Sequence, residues 1–123
     1  MPRGDWPFPR DERMQSQQEF DQVKQEGVSC SGQYLVLAVN FRPCESAKRV
    51  GFIISKRVGR AVTRNRIRRR LREVYRLRRP GIVDGFSMVL IARPAAAHVG
   101  FDLLDAEFAR LFLSIRRKIC EQA

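Results

Sequence analysis

The sequence has a single histidine, three cysteines, and no apolar run near the roughly 18 residues that a membrane-spanning helix requires. His98 stands alone in the small-residue loop Pro94 to Gly100, where plain surface is a simpler reading than a general base. Cys30, Cys44 and Cys120 are odd in number, far apart and without a CxxC pair. That spacing argues against a disulfide framework or a zinc site and for reduced thiols. The acidic residues are scattered over predicted helices and loops, so no carboxylate pair offers itself for metal-assisted hydrolysis. The region of Gly51 and Gly59 contains no GxxxxGK[ST] phosphate loop. The N-terminal stretch MPRGDWPFPRDER has no h-region of a signal peptide, and a cytoplasmic protein is expected. No catalytic or metal-binding residue is therefore assigned. If the chain takes part in a reaction, its own side chains are not expected to perform it.

Acidic charge is missing from one place above all. The segment Lys56 to Arg79, KRVGRAVTRNRIRRRLREVYRLRR, holds 12 of the 24 Lys and Arg residues and a single acid, Glu73, giving it a net charge of +11. The other 99 residues balance at 12 basic and 12 acidic, so the whole excess charge of the protein lies in one stretch. Such concentration marks a binding surface for a polyanion. Every base in the segment except Lys56 is arginine. Arginine's planar fork meets phosphate oxygens bidentately and stays charged at any cellular pH.

The same segment is patterned as a helix. Ile67, Leu71, Val74 and Tyr75 fall at i, i+4, i+7 and i+8, one apolar stripe that must face a core. Arg66, Arg69, Arg70 and Glu73 cover one flank; Arg68, Arg72 and Arg76, followed by Arg79, run along the other. Like charges at i, i+4 repel by a few tenths of a kcal/mol per pair, and repetition of that cost implies a partner that offsets it. Thr63 is a candidate N-cap, and Pro80-Gly81 a stop.

With 123 residues and 44% hydrophobic content, one domain with a real core is expected. Residues 1–13 read as a mobile arm, because Pro2, Pro7 and Pro9 prevent a regular helix; its Trp6 and Phe8 are open to base stacking or to packing on the domain. Residues 14–123 are then expected to form a single domain that binds the polyanion, RNA by the readings given below. Ser16 to Glu19 is a capping box for a short helix with a thin face of Phe20 and Val23, closed by Gly27. Strand-like runs follow at Tyr34 to Val39, Val50 to Ile54 and Phe86 to Ala92, with a short extra strand near Ser29 to Ser31. A polar turn, Arg42 to Lys48, joins the first two long runs, and the basic helix between the last two makes a β-α-β unit. Asp102 is a candidate cap for a last helix with a stripe of Leu104, Phe108, Leu111, Phe112, Ile115 and Ile119. Near its end, Arg116, Arg117 and Lys118 suit either the helix dipole or RNA contact.

Ser55-Lys56-Arg57-Val58-Gly59 with Ala61, then Arg64-Asn65-Arg66-Ile67 and Arg69, closely resembles the signature of the bacterial ribonuclease P protein component. The likeness runs from about Arg13 to Ala95 and includes the strand end Val89 to Pro94. It implies an α/β (α+β) sandwich with a small, mostly antiparallel sheet and a left-handed crossover around the Arg-Asn-Arg helix, where general rules favour a right-handed one. It also implies a subunit that binds the catalytic ribonuclease P RNA and the 5′ leader of precursor tRNA. In that family the RNA performs the cleavage with its own Mg2+; the protein alone holds no cofactor and needs no membrane and no obligate protein partner.

The RNA-binding set so implied is Lys56, Arg57, Arg60, Arg64, Asn65, Arg66, Arg68, Arg69 and Arg72, with Asn65 suited to a base edge or 2′-hydroxyl, or to backbone at the helix start. The leader groove implied is Phe20, Lys24, Val36, Lys56 and Arg57. Lys24 stands where the family often has a second aromatic, and Ala38 where it often has one on the strand, so leader binding is expected to lean on phosphate more than on stacking. A structural, ribosomal-type RNA-binding protein with no role in cleavage is the alternative reading. A DNA-binding regulator is disfavoured because no second helix is placed for a helix-turn-helix.

Overall fold

The computed structural model describes residues 13–14, 17–42 and 48–122. The apolar runs become strands and the striped segments become helices. In chain order these are α1 (Gln17–Glu26), β1 (Val28–Ser31), β2 (Leu35–Phe41), β3 (Arg49–Ile53), α2 (Ala61–Arg78), β4 (Phe86–Ala92) and α3 (Phe101–Gln122). Short 3-10 turns at Lys56–Val58, Arg79–Gly81 and Pro94–His98 flank α2 and β4. The four strands lie in the order β1-β2-β4-β3. Both β1 with β2 and β2 with β4 are antiparallel, whereas β3 and β4 are parallel, as a β-α-β unit through α2 requires.

Alternation along the strands assigns each sheet face its helices. Leu35, Leu37 and Val39 of β2, with Val50, Met88 and Leu90, join Ile67, Leu71, Val74 and Tyr75 of α2 and Leu104, Phe108, Leu111 and Ile115 of α3 in the main core. The opposite face carries the smaller cluster of Val23, Ala38 and Val89, against which Met14, Phe20, Ile53 and Ile91 pack. So α1 covers only part of the second face. Two cross-sheet rows run on that side: Ala38, Val89 and Gly51 in one, and Val36, Ile91 and Ile53 in the next. Ala38 and Val89 are buried, while Val36, Ile91 and Ile53 remain half-buried.

Several local expectations change. Thr63 is not the cap of α2: the helix begins at Ala61 with Arg60 in the N-cap position, and no side chain caps it. Thr63 packs instead beside Gly59, where a Cβ would stand 3.1 Å from the threonine side chain and the backbone has φ 156°. Asp102 lies inside the first turn of α3 instead of capping it, where its charge still suits the positive end of the helix dipole. The C-terminal end of α2 is closed by Lys48, whose Nζ donates to the carbonyls of Arg79 (3.0 Å), which also accepts the Ile82 amide in the 3-10 turn, and of Ile82 (2.7 Å). Ser16 of the capping box, residues 43–47 of the polar turn, and residues 1–12, which include Trp6 and Phe8, lie outside the described residues. Arg13, assigned with the arm, sits in a parallel bridge with Val50, and the Met14 amide donates to the Val50 carbonyl at 2.8 Å.

Glu107 is the one buried charged residue among those described, 5% exposed. Its carboxylate accepts backbone N–H groups of Gln33 (2.9 Å), Tyr34 (2.7 Å) and Leu35 (2.7 Å), which ties α3 to the β1–β2 hairpin. Gly32 makes the approach possible, because a Cβ there would meet the carboxyl carbon at 2.4 Å. The signal was present in the sequence: Glu107 interrupts the apolar stripe between Leu104 and Leu111, in phase with both.

Candidate nucleic-acid interface

Because its apolar stripe faces the core, α2 presents the rest of its circumference outward, and the arginines sort by the direction that each position dictates. On the flank toward α3, Arg70 Nη1 donates to the Val99 carbonyl (2.8 Å) and Arg66 Nη2 approaches the Ala97 carbonyl (3.4 Å). These two hold the Pro94–His98 turn. Toward the C-terminus, Arg76 chelates Glu73 (2.9 and 2.5 Å) and Arg78 chelates Asp105 (2.6 and 2.9 Å). The Asp105 hydrogen bond raises the Arg78 pKa above the ordinary arginine value. Four arginines of the segment thus have protein partners and serve the fold.

The crest and the other flank carry the remainder. Asn65, Arg69 and Arg72 are exposed, and Val62 protrudes among them at 77% exposure. With Arg68 these residues line an open concavity of about 480 Å3, with no carboxylate among the described residues that border it. The Asn65 side-chain carbonyl accepts a bond from Arg68 Nη1 at 2.9 Å. Asn65 therefore orients an arginine within the protein instead of bonding backbone, and its amide nitrogen remains available to a ligand. The Nε atoms of Arg64 and Arg66 are buried without a protein acceptor among the described residues.

Arg60 is exposed at the start of α2. Lys56 and Arg57 are exposed in the 3-10 turn after β3, and Val58 behind them is buried as its anchor. They follow β3 in the chain, three and four residues after Ile53. At the α1 side of the sheet, Phe20 lies half-buried against Gly51, so close that a Cβ on Gly51 would meet the ring at 2.4 Å. Lys24 is exposed on α1, 3.9 Å from Asp21. Ala38 sits under α1 at 3% exposure, a buried spacer rather than a groove wall.

One convergence was not legible beforehand. Phe20, Gly51, Arg68, Arg72, Arg13 and Met14 border a single recess of about 150 Å3, so the groove beside α1 and the flank of α2 form one surface. There, partial burial first, and then the charges of Arg13 and Arg68, lower the Arg72 pKa from the ordinary arginine value. No described helix is long and apolar enough to cross a membrane, and the described residues include no group of three or more His, Cys, Asp or Glu placed to hold a metal ion.

The family model for ribonuclease P matches residues 8–116. The ribonuclease P protein component of Roseiflexus castenholzii is 43% identical over 102 residues, 80% of this chain and 81% of that one. That of Natranaerobius thermophilus is 41% identical over 93 residues, 76% of this chain and 80% of the relative. Among solved structures, the Staphylococcus aureus RNase P protein superposes with a TM-score of 0.75 at 23% identity, covering 82% of this chain and 92% of that one. The Thermotoga maritima RNase P protein does so with a TM-score of 0.71 at 25% identity, covering 86% and 96%.

Proposed function

Because the chain belongs to the bacterial ribonuclease P protein family, we propose that it binds the catalytic RNA subunit through α2 and the single-stranded 5′ leader of precursor tRNA along the groove between α1 and the sheet, thereby assisting removal of the leader. The sorting of the α2 arginines carries this reading. Arg66, Arg70, Arg76 and Arg78 have protein partners, whereas Arg69 and Arg72 stand exposed with Asn65 and Arg68 on a surface with no carboxylate among the described residues that line it. Clustering like charges without acids is unfavourable in the free protein and becomes favourable when RNA phosphates enter between them.

The groove supplies the complementary parts for a single strand: the Phe20 ring as a stacking platform, the half-buried Val36, Ile91 and Ile53 as an apolar floor, and Lys24, Lys56 and Arg57 along its margins for phosphate. With one aromatic and three cations, affinity in this groove depends more on salt than on leader sequence. In this reading Mg2+ comes with the RNA and does the chemistry there. Four of the described acids have protein partners of their own: Glu19 pairs with Arg49, Glu26 with Arg42 and Asp105 with Arg78, and Glu107 binds backbone amides. The protein positions two RNAs in the cytoplasm without needing a second protein.

The test is reconstitution with a bacterial ribonuclease P RNA and a precursor tRNA at low magnesium. Leader removal should accelerate on adding the protein. Tight RNA binding with no change in cleavage would instead identify a structural RNA-binding protein and refute the proposal.

A further inference from the structure

We propose that the N-terminal segment 1–12 folds back on its own domain and seats Trp6 and Phe8 in an apolar trough between the end of α2 and the outer side of α3. This trough borders none of the proposed RNA or leader contacts.

Two cavities join to form it. One, of about 500 Å3, runs between Leu77 at the end of α2 and Ala109 and Leu113 on α3. The other, of about 180 Å3, runs between Phe41 and Phe86 at the end of the sheet and Ile119 on α3. Gly81, Phe112 and Arg116 border both, so the two are continuous. One wall is aromatic, with the Phe86 ring centroid 4.6 Å from that of Phe41 and 5.4 Å from that of Phe112. Leu77, Val83 and Leu113 stand exposed along the rim, three of the five large apolar side chains so exposed among the described residues. Apolar surface gathered in one place marks a docking site.

The course of the chain selects the occupant. Arg13 forms a parallel bridge with Val50, and its carbonyl accepts from Arg49 Nη2 at 3.3 Å. A segment parallel to β3 enters from the N-terminal end of that strand, where Lys48 stands. Lys48 Nζ bonds the carbonyls of Arg79 and Ile82, which flank Pro80-Gly81 at the edge of the trough. The trough thus begins one lysine side chain away from the start of β3. Trp6 lies seven residues before Arg13, a stretch that spans up to about 25 Å when extended, whereas Val50 to Lys48 covers only about 7 Å.

The composition of the segment agrees. Trp6 and Phe8 alternate with Pro7 and Pro9. Proline holds such a stretch extended before it binds, and Pro-rich segments dock on aromatic-lined grooves. Residues 1–12 carry three acids, Asp5, Asp11 and Glu12, against two bases, Arg3 and Arg10. That balance suits a trough with Arg116 at its centre and disfavours stacking of the same aromatics on RNA, a polyanion.

Trp6 is the only tryptophan of the chain, so its fluorescence reports this segment alone. In the free full-length protein its emission should be blue-shifted from that of the urea-unfolded chain and shielded from acrylamide. Val83→Asp and Leu113→Asp, at exposed rim positions that tolerate charge, should return both readings toward the unfolded values with circular dichroism unchanged. Leu103→Asp, on α3 and exposed but outside the trough, should leave them at parental values. A solvated Trp6 in the folded parent, or one indifferent to both rim variants, would overturn the proposal. Cys120 supplies a second reading that needs no substitution in the trough, since it lines the trough and is exposed there. Its alkylation, followed by peptide mass relative to Cys30, should quicken severalfold when Trp6 and Phe8 are both replaced by alanine. An unchanged rate would count equally against docking. Shielding of Trp6 that falls on dilution would assign the trough to the segment of a second copy, and shielding that appears only with RNA would give the aromatics to RNA; either result refutes docking within one chain. None of these measurements uses cleavage, so they are independent of the RNA-binding role.

Discussion

Replacing Glu107 by alanine removes an acceptor shared by three backbone amides, and the size of the effect follows from which of those amides can reach water. Gln33 is exposed and Tyr34 half-buried, so their N–H groups can be rehydrated at modest cost, whereas Leu35 is fully buried at 0% exposure. Hydrogen bonds to a charged group contribute about 1.5–3 kcal/mol each, and a stranded buried donor adds its desolvation cost. Arg110, at 65% side-chain exposure, contributes little through its 3.0 Å contact with Glu107. Allowing for partial rehydration, the loss should be about 3–5 kcal/mol, a large part of a typical domain stability of about 5–15 kcal/mol. At a slope of about 2 kcal/mol/M, a loss of 4 kcal/mol lowers the urea midpoint by about 2 M with the slope unchanged. Glu107→Gln keeps one acceptor oxygen but turns an amide toward backbone donors, and should fall between alanine and the parent. A loss below about 1 kcal/mol in Glu107→Ala, or parental stability in Glu107→Gln, would refute the argument that α3 holds the hairpin through this carboxylate.

Ile67→Ala or Leu71→Ala, both at 0% exposure, should cost about 2–5 kcal/mol in folding while leaving the salt dependence of RNA binding at its parental slope. Arg69→Ala should do the reverse, flattening that dependence by about one phosphate contact with stability little changed; arginine variants that unfold but keep RNA affinity would show that the faces of α2 are wrongly assigned. Gly51→Ala places a methyl 2.4 Å from the Phe20 ring and should expel it, so leader affinity should fall toward that of Phe20→Ala, a stacking loss of about 1–3 kcal/mol; retained leader affinity in both would remove the ring from the groove. Photocrosslinks from leader nucleotides should map to Phe20 and Lys24, and crosslinks confined to the α3 side of α2 would exclude the groove.

Periodic patterns explain how much was legible beforehand. A helix announces itself by which residues share a face, and Ile67, Leu71, Val74 and Tyr75 did so before any contact was known. β4 was bounded correctly from Phe86 to Ala92 because an apolar β-branched run ends where Arg93-Pro94 begins. Cap positions were less legible: Thr63 and Asp102 are good capping residue types, yet both lie within their helices, since the neighbouring loops and not intrinsic preference set where each helix starts.

The chain's own order of residues determined that all the net charge lies in one segment built around an amphipathic helix, and that strands precede and follow that helix. These are local properties, carried by neighbours within a few turns. Only the tertiary structure decided which arginines of α2 have protein partners and which stand exposed on its open flank. Arg70 and Arg72 are chemically identical and two positions apart, yet one reaches the Val99 carbonyl and the other borders the recess with Arg13 and Phe20. A helix rotates successive side chains by about 100°, so what each one meets is set by the elements packed on either side. Periodicity says which way a side chain points; the strand order β1-β2-β4-β3 and the placement of α1 and α3 say what stands there.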